Sequence, residues 1–346
     1  MNWWQKDCLA INEKVRQEAL DRQNQLTKPP GSLGVLESIA VDLAAMYGEL
    51  TPHLNQPAIA IFAADHGVVA QGVSAFPQAV TVEMLRNFIN GGAAISVLAD
   101  LHQAQLKVVN CGTATEPGFD GVIDQRIAAG TQDLSQQAAM NMEQCEQALQ
   151  IGKQLVDELK SEGCDFFIAG EMGIGNTTAA AALGCVYTQV EAEQMVGLGT
   201  GVDEHGLQRK KDVVNTALQR IATEELSAIE LLAQLGGFEI AAISGAYIRC
   251  AQLGIPVLVD GFITTAAALA AEKMNPGVRD WMIFSHQSEE QGHGYMLAEL
   301  QGKALLQLGM RLGEGSGAAV ALPLIKEACA LHSRMATFAE ASVSEA

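Results

Sequence analysis

The chain alternates between short, continuously apolar runs bounded by turn formers and longer stretches in which apolar residues recur at helical spacing. Pro57 to Ala64 is the first such run; Leu106 to Asn110, Asp165 to Ala169, Ile255 to Val259 and Trp281 to Phe284 follow it. Short runs without polar alternation are strands covered on both faces. Their separation by helical stretches predicts a parallel, doubly wound α/β sheet. Gly121 to Ala129 is a further strand candidate, and helices are expected from about Asn141 to Glu162 and from Ala318 to Leu331. Ahead of the first run lie two helical segments with no strand between them, residues 11 to 26 and Val35 to Tyr47. Lys28-Pro29-Pro30-Gly31-Ser32-Leu33-Gly34 separates them, and its prolines and glycines forbid helix. The two segments read as a small helical lobe, and in its simplest reading the proline segment is only their connector.

Open α/β sheets bind ligands outside the carboxyl ends of their strands. Polar residues gather at those ends here: Asp65 and His66, Asn110, Glu171, Asp260, and Ser285, His286 and Ser288. Any one of them alone is a turn residue or a cap, but together they outline a cleft. Its centre is Cys164 to Ala182, a strand, a glycine-rich turn and a helix opening on polar residues. Gly170, Gly173 and Gly175 free the backbone, and Asn176 and Thr177 are expected to cap a helix whose unpaired N–H groups and positive dipole end attract a phosphate. The order Gly170-x-x-Gly173-x-Gly175 is the reverse of the dinucleotide fingerprint. No Gly-x-x-x-x-Gly-Lys-Ser/Thr occurs, so a monophosphate is the expected ligand. Glu171 sits where such an anion should repel it. A positively charged ribose or pyridinium centre beside the phosphate would reconcile the two; the other reading is a first-turn acid favoured by the helix dipole.

Charge narrows the partners. Forty acids against 21 bases give a formal net charge of -19, which argues against nucleic acid or an anionic membrane. Any anion must be held locally, by backbone N–H groups and one or two placed cations. Val196-Gly197-Leu198-Gly199-Thr200-Gly201 precedes a helix with Arg209, Lys210 and Lys211, of which Lys210 is the strongest candidate to reach back; Arg209 and Lys211 read equally well as a solvated face. Leu235-Gly236-Gly237-Phe238-Glu239 opens a helix rich in Ala and Gly, which implies close packing beside the sheet. Seven scattered cysteines form neither a metal pattern nor a disulfide framework, which points to a reducing compartment. With no leader pattern at the start and no 18-residue apolar run, the expectation is a soluble cytoplasmic protein without membrane insertion. At 49% hydrophobic content, 346 residues are enough for one extended α/β domain or for one large domain and a small one. In Arg311-Leu312-Gly313-Glu314-Gly315-Ser316-Gly317 a glutamate stands among glycines with no helical reason to be there; a base acting on a flat ligand needs that freedom and space.

Lys-Pro-Pro-Gly-Ser-Leu-Gly at 28 to 34, Ala-Asp-His-Gly-Val at 64 to 68, Gly-Glu-Met-Gly-Ile-Gly-Asn-Thr-Thr at 170 to 178, Leu-Gly-Gly-Phe at 235 to 238, Asp-Gly-Phe at 260 to 262 and Arg-Leu-Gly-Glu-Gly-Ser-Gly at 311 to 317 together resemble the nicotinate-nucleotide:dimethylbenzimidazole phosphoribosyltransferase family, over about residues 20 to 335. The resemblance implies transfer of a phosphoribosyl group from nicotinate mononucleotide to 5,6-dimethylbenzimidazole, giving α-ribazole 5'-phosphate and nicotinate for the lower ligand of cobalamin. It implies a Rossmann-like α/β/α domain, residues 51–319, a smaller helical domain from both termini, residues 1–50 and 320–346, and a homodimer. Carried over by motif, the catalytic base falls on Glu314 and a second carboxylate on Glu171. Phosphate contacts fall on Gly173, Gly199 and Lys210, with Asn176 and Thr177 at the same turn, and ribose and nicotinate neighbours on Asp260 and Ser288; Gly313 adjoins the base. Neither metal nor cofactor is called for. Phe76 and Met84 stand where some members carry polar side chains around the aromatic-base pocket, which leaves the ranking of benzimidazole, adenine and phenolic acceptors open. Two rivals remain: a nucleotide-binding oxidoreductase or kinase, which lacks its motif here, and a non-catalytic sensor of nicotinate nucleotide.

Overall fold

Continuous apolar runs fold as buried strands because nothing in them can face water. In the computed structural model, which describes residues 2–199, 201 and 203–344, the strands are β1 (Pro57–Ala64), β2 (Gln105–Gly112), β3 (Ile123–Asp124), β4 (Phe166–Met172), β5 (Val257–Val259), β6 (Met282–His286) and β7 (Ala304–Leu306). All pair in parallel in the order β3-β2-β1-β4-β5-β6-β7. The chain builds outward from β1 through β2 on one side and from β4 on the other, so the topological switch point lies between β1 and β4. A ligand crevice belongs beside Ala64 and Met172.

The helices are α1 (Glu13–Gln25), α2 (Val35–Tyr47), α3 (Ala79–Ile89), α4 (Ala94–His102), α5 (Met142–Ser161), α6 (Asn176–Thr188), α7 (Ala192–Met195), α8 (Glu204–Ile221), α9 (Ala228–Leu235), α10 (Phe238–Leu253), α11 (Phe262–Met274), α12 (His293–Glu299), α13 (Ser316–Arg334) and α14 (Phe338–Ala341). Asn141 and Gln144 form a capping box that starts α5. Two glycines fuse α5 to α10: a Cβ at Gly152 would lie 1.8 Å from the Ala242 carbonyl oxygen, and one at Gly245 2.2 Å from that of Leu149. That contact is the close packing implied by the small residues of α10. α1 packs on α2, and α2 on α13. Arg22 donates to the carbonyls of His332, Ser333 and Met335 at the far end of α13, whereas the near end meets the sheet, where Gly317 abuts the His286 ring. α13 thus joins the terminal helices to the strand ends.

Three elements depart from the sequence expectation at the level of the fold. The segment from Gly121 to Ala129 supplies only the two residues of β3 to the sheet; Asp124, Gln125 and Arg126 interrupt its apolar run, and Val122, Ile127 and Ala128 pack against the core from outside the strand. β7 was not expected; its three residues are each half-buried, too short and too wet for a run to show. α13 begins two residues before Ala318, at Ser316, with its N-terminus buried in the cleft.

Candidate active site

A cavity of about 590 Å³ opens at the carboxyl ends of β4, β5 and β6. Its wall includes Glu171, Gly173, Asn176, Thr177, Gly199, Asp260, Ser288, Gly313 and Glu314. Phe76, Val80 and Met84 supply an apolar side. Of the strand-end residues singled out in the sequence, Glu171, Asp260, His286 and Ser288 meet here, whereas Asp65, His66, Asn110 and Ser285 do not line the cavity. Lys210 does not line it either. Its buried ammonium lies off the wall, donating to Thr177 Oγ1 at 3.0 Å and to the Gly197 carbonyl at 3.3 Å. A Cβ at Gly199 would sit 2.7 Å from Nζ, so glycine there is what lets the loop close over the lysine. Burial pulls the Lys210 amine down to about 8, against the raising influence of Glu290; an arriving phosphate would restore its charge. Arg209 instead donates to the Gly72 carbonyl at 3.1 Å. Thr200 lies outside the described residues.

The turn after β4 corrects one expectation. Asn176 and Thr177 do not cap α6: Gly175 is the N-cap, at φ +97°, with no side-chain cap bond. The Asn176 amide is committed to the Glu171 carboxylate, and Thr177 accepts from Lys210. Of the first-turn N–H groups of α6, those of Asn176 and Thr178 donate to the Gly173 and Gly175 carbonyls, each at 3.1 Å, which leaves the Thr177 N–H as the one open to a ligand anion among the described residues. Burial, and then the charges of Glu239 and Asp260, push the Glu171 carboxyl up to about 8, although the Asn176 amide and the Glu314 backbone N–H favour its ionised form.

Glu314 occupies an unusual backbone. Gly313, Glu314 and Gly315 are all left-handed, at φ +84°, +62° and +77°. For glutamate that conformation costs of order 1 kcal/mol or more, so its surroundings must impose it. Three contacts do. Gly170 presses against the Glu314 carbonyl, where a Cβ would be 2.4 Å away; Ser316 Oγ donates to the Gly313 carbonyl at 2.6 Å; and Asp260 Oδ1 accepts the Ala318 N–H at 2.8 Å. Asp260 also faces the N–H groups of Gly315 and Gly317, yet burial outweighs them and brings its carboxyl up to about 7. It lines the cavity and holds the start of α13 at once. The Glu314 carboxyl is raised by burial, partly offset by the Ile95 N–H in the first turn of α4, and its Oε2 is buried without a hydrogen-bond partner among the described residues.

Ser288 is held by His293, whose Nδ1 accepts the Ser288 N–H at 2.8 Å while Nε2 meets Thr265 Oγ1 at 3.0 Å. Burial drives that imidazole down to about 3, so it is neutral and its tautomer is fixed by the two partners. Glu290 escaped the reading of the sequence. This buried carboxylate lines the cavity, and its Oε2, without a partner among the described residues, would be 2.3 Å from a Cβ at Gly197. Its only signal was its place just past β6, masked by the exposed Glu289 beside it. Among the described residues no group of three or more His, Cys, Asp and Glu is placed to hold a metal ion. None of their helices is long and apolar enough to cross a membrane.

Acids thus surround a cavity whose buried cation, Lys210, sits behind the phosphate-sized turn, an arrangement for a ligand positive at its centre and anionic at one end. A family model described as phosphoribosyltransferase matches residues 8–343. A nicotinate-nucleotide:dimethylbenzimidazole phosphoribosyltransferase of Pseudomonas syringae pv. syringae (strain B728a) is 53% identical over 344 residues, 99% of this chain and 98% of its own. One of the same name from Pseudomonas aeruginosa (strain UCBPP-PA14) is 51% identical over 346 residues, 100% of this chain and 99% of its own. A crystal structure of such an enzyme from Thermus thermophilus superposes with a TM-score of 0.93 at 42% identity, spanning 97% of this chain and 100% of that one. With fold and sequence shared from end to end, the chain belongs to the nicotinate-nucleotide:dimethylbenzimidazole phosphoribosyltransferase family.

Proposed function

We propose that this enzyme transfers the 5-phosphoribosyl group of nicotinate mononucleotide to 5,6-dimethylbenzimidazole or a related flat base, yielding α-ribazole 5'-phosphate and nicotinate for the cobalamin nucleotide loop. The observation that carries the site assignment is the left-handed Glu314, a carboxylate with one oxygen unpartnered among the described residues, lining one cavity with Glu171 and the Gly173 turn. Glu314 takes the N–H proton of the benzimidazole, and the lone pair of the other ring nitrogen attacks the anomeric carbon. The bond from that carbon to the pyridinium nitrogen breaks, its electron pair returning to the ring. Nicotinate leaves uncharged at its ring and needs no acid. Attack from the opposite face turns a β-nucleotide into an α-riboside. Glu171 stabilises oxocarbenium character, a contribution of about a few kcal/mol. In the free site its carboxyl is pushed up to about 8; a cationic ring alongside favours the ionised form that this role requires.

Gly173, Asn176, Thr177, Gly199 and Lys210 take the phosphate, Asp260, Ser288 and Gly313 border the ribose and nicotinate, and Phe76 and Met84 flank the acceptor. The reading includes a homodimer, a cytoplasmic location, and a helical lobe of residues 1–50 and 320–346 beside a catalytic domain of residues 51–319. Incubation of the protein with nicotinate mononucleotide and dimethylbenzimidazole releases nicotinate. Nucleotide binding without nicotinate release would make the protein a sensor instead.

Lys210→Ala weakens nucleotide binding more than it slows chemistry, because it removes the buried cation behind Thr177 and Gly199. Charge-assisted hydrogen bonds contribute about 1.5 to 3 kcal/mol, so affinity falls roughly ten- to hundredfold in titration calorimetry. An unchanged dissociation constant would put the phosphate elsewhere.

A further inference from the structure

Two stretches prominent in the sequence, Asp65-His66-Gly67 and Gly236-Gly237-Phe238-Glu239, contribute no lining residue to the cavity. They meet directly behind it. His66, just past β1, and Glu239, in the first turn of α10, are fully buried, with Nε2 2.7 Å from Oε1. Glycines close around the pair. A Cβ at Gly173 would lie 3.3 Å from Glu239 Oε1 and 2.2 Å from the Ala64 carbonyl oxygen; one at Gly175 would lie 3.1 Å from His66 Cβ; one at Gly237 would lie 2.3 Å from His66 Cε1. The glycines of the ligand turn therefore serve two approaches, the ligand's from the front and the pair's from behind. Among the described residues, His66 Nδ1 and Glu239 Oε2 have no hydrogen-bond partner. A buried polar pair left half satisfied is poor packing, and apolar side chains of the same volume would hold a core as well or better. Its location accounts for it.

We propose that His66 and Glu239 are a positioning pair for phosphoribosyl transfer: they brace the Gly173–Gly175 turn that follows Glu171, and the charge of Glu239, offset by His66, sets the field in which Glu171 works. The proposal rests on the role given above to Glu171. After burial, Glu239 is the largest influence raising the Glu171 carboxyl. The other groups facing Glu171 are Asp260 from the end of β5, the Asn176 amide and the Glu314 backbone N–H. Asp65 adjoins the pair from just past β1 and Cys111 from β2.

On this proposal the two members of the pair act on Glu171 with opposite sign, which a bracing role alone would not produce. In the full-length protein with ¹³C-labelled glutamate carboxyls, the Glu171 resonance is assigned by its loss in Glu171→Gln and followed against pH. Glu239→Gln removes a negative neighbour and lowers the Glu171 midpoint by about one pH unit; His66→Gln leaves Glu239 uncompensated and raises it by a similar amount. The rising limb of kcat/KM with pH moves with each. His66→Gln/Glu239→Gln, neutral and close in shape, follows Glu239→Gln and keeps the test open where a single variant fails to fold. Midpoints that stay in place, or move together, overturn the proposal. Midpoints that move in opposite directions while the kcat/KM limb stays still uphold the coupling and overturn instead the assignment of Glu171 to the reaction.

Discussion

Glu314→Gln lowers turnover by about 10² to 10⁴, the range for loss of a positioned general base, with little change in KM for either substrate. The amide has the shape of the carboxylate and the same left-handed backbone to adopt, so the Gly313–Gly315 loop and the contacts that impose it survive. What disappears is the proton acceptor. Burial already raises the Glu314 carboxyl, which makes it a stronger base once ionised. Turnover of the unaltered enzyme accordingly falls as pH drops through that raised value, and the variant lacks this acid limb. Loss in turnover with KM preserved is the signature of an interaction made in the transition state. The deficit shrinks at high pH, where the benzimidazole ionises by itself. Steady-state nicotinate release across pH measures all of this. Near-normal turnover of a folded variant at neutral pH would remove Glu314 from the role of base.

Much of this site was readable from the chain because each part carries a local signal. Buried parallel strands advertise themselves as apolar runs, and glycines around an acid mark a loop whose geometry other residues cannot adopt. The edge strand β7 had no such run to show. Side-chain commitments were harder. Asn176 and Thr177 have the chemistry of helix caps, and only the positions of Glu171 and Lys210 around them, five and 33 residues away, reveal that both are spoken for. The His66–Glu239 pair spans 173 residues. No local pattern could join them, although each lies in a stretch that looked unusual. Glu290 was hidden for the opposite reason: a doubled acid on a turn reads as solvated surface, and only burial separates it from Glu289.

Gly170→Ala tests the join between the two carboxylate loops. Gly170 is an interior residue of β4 paired with Ile61, where alanine is normally harmless to the backbone. Here its Cβ would stand 2.4 Å from both the carbonyl carbon and oxygen of Glu314 and 2.6 Å from the Gly315 nitrogen. Those are backbone atoms, so no rotamer change relieves the clash. Either β4 or the loop before α13 must shift by about an ångström, and a displacement of that size at a reacting group costs about 10² in rate. Forced overpacking adds a stability loss of about 1 to 3 kcal/mol, visible as a lowered Tm. Phosphate binding should change far less, because Lys210, Thr177 and Gly199 contact one another and not the displaced loop. Gly294→Ala is the matched control: its Cβ would meet only Gln287 Nε2, at 3.8 Å, inside α12, where alanine favours helix by about 1 kcal/mol over glycine. If Gly170→Ala turned over like Gly294→Ala, the strand end would not be what holds Glu314 in its left-handed turn, and Ser316 and Asp260 would have to hold it alone.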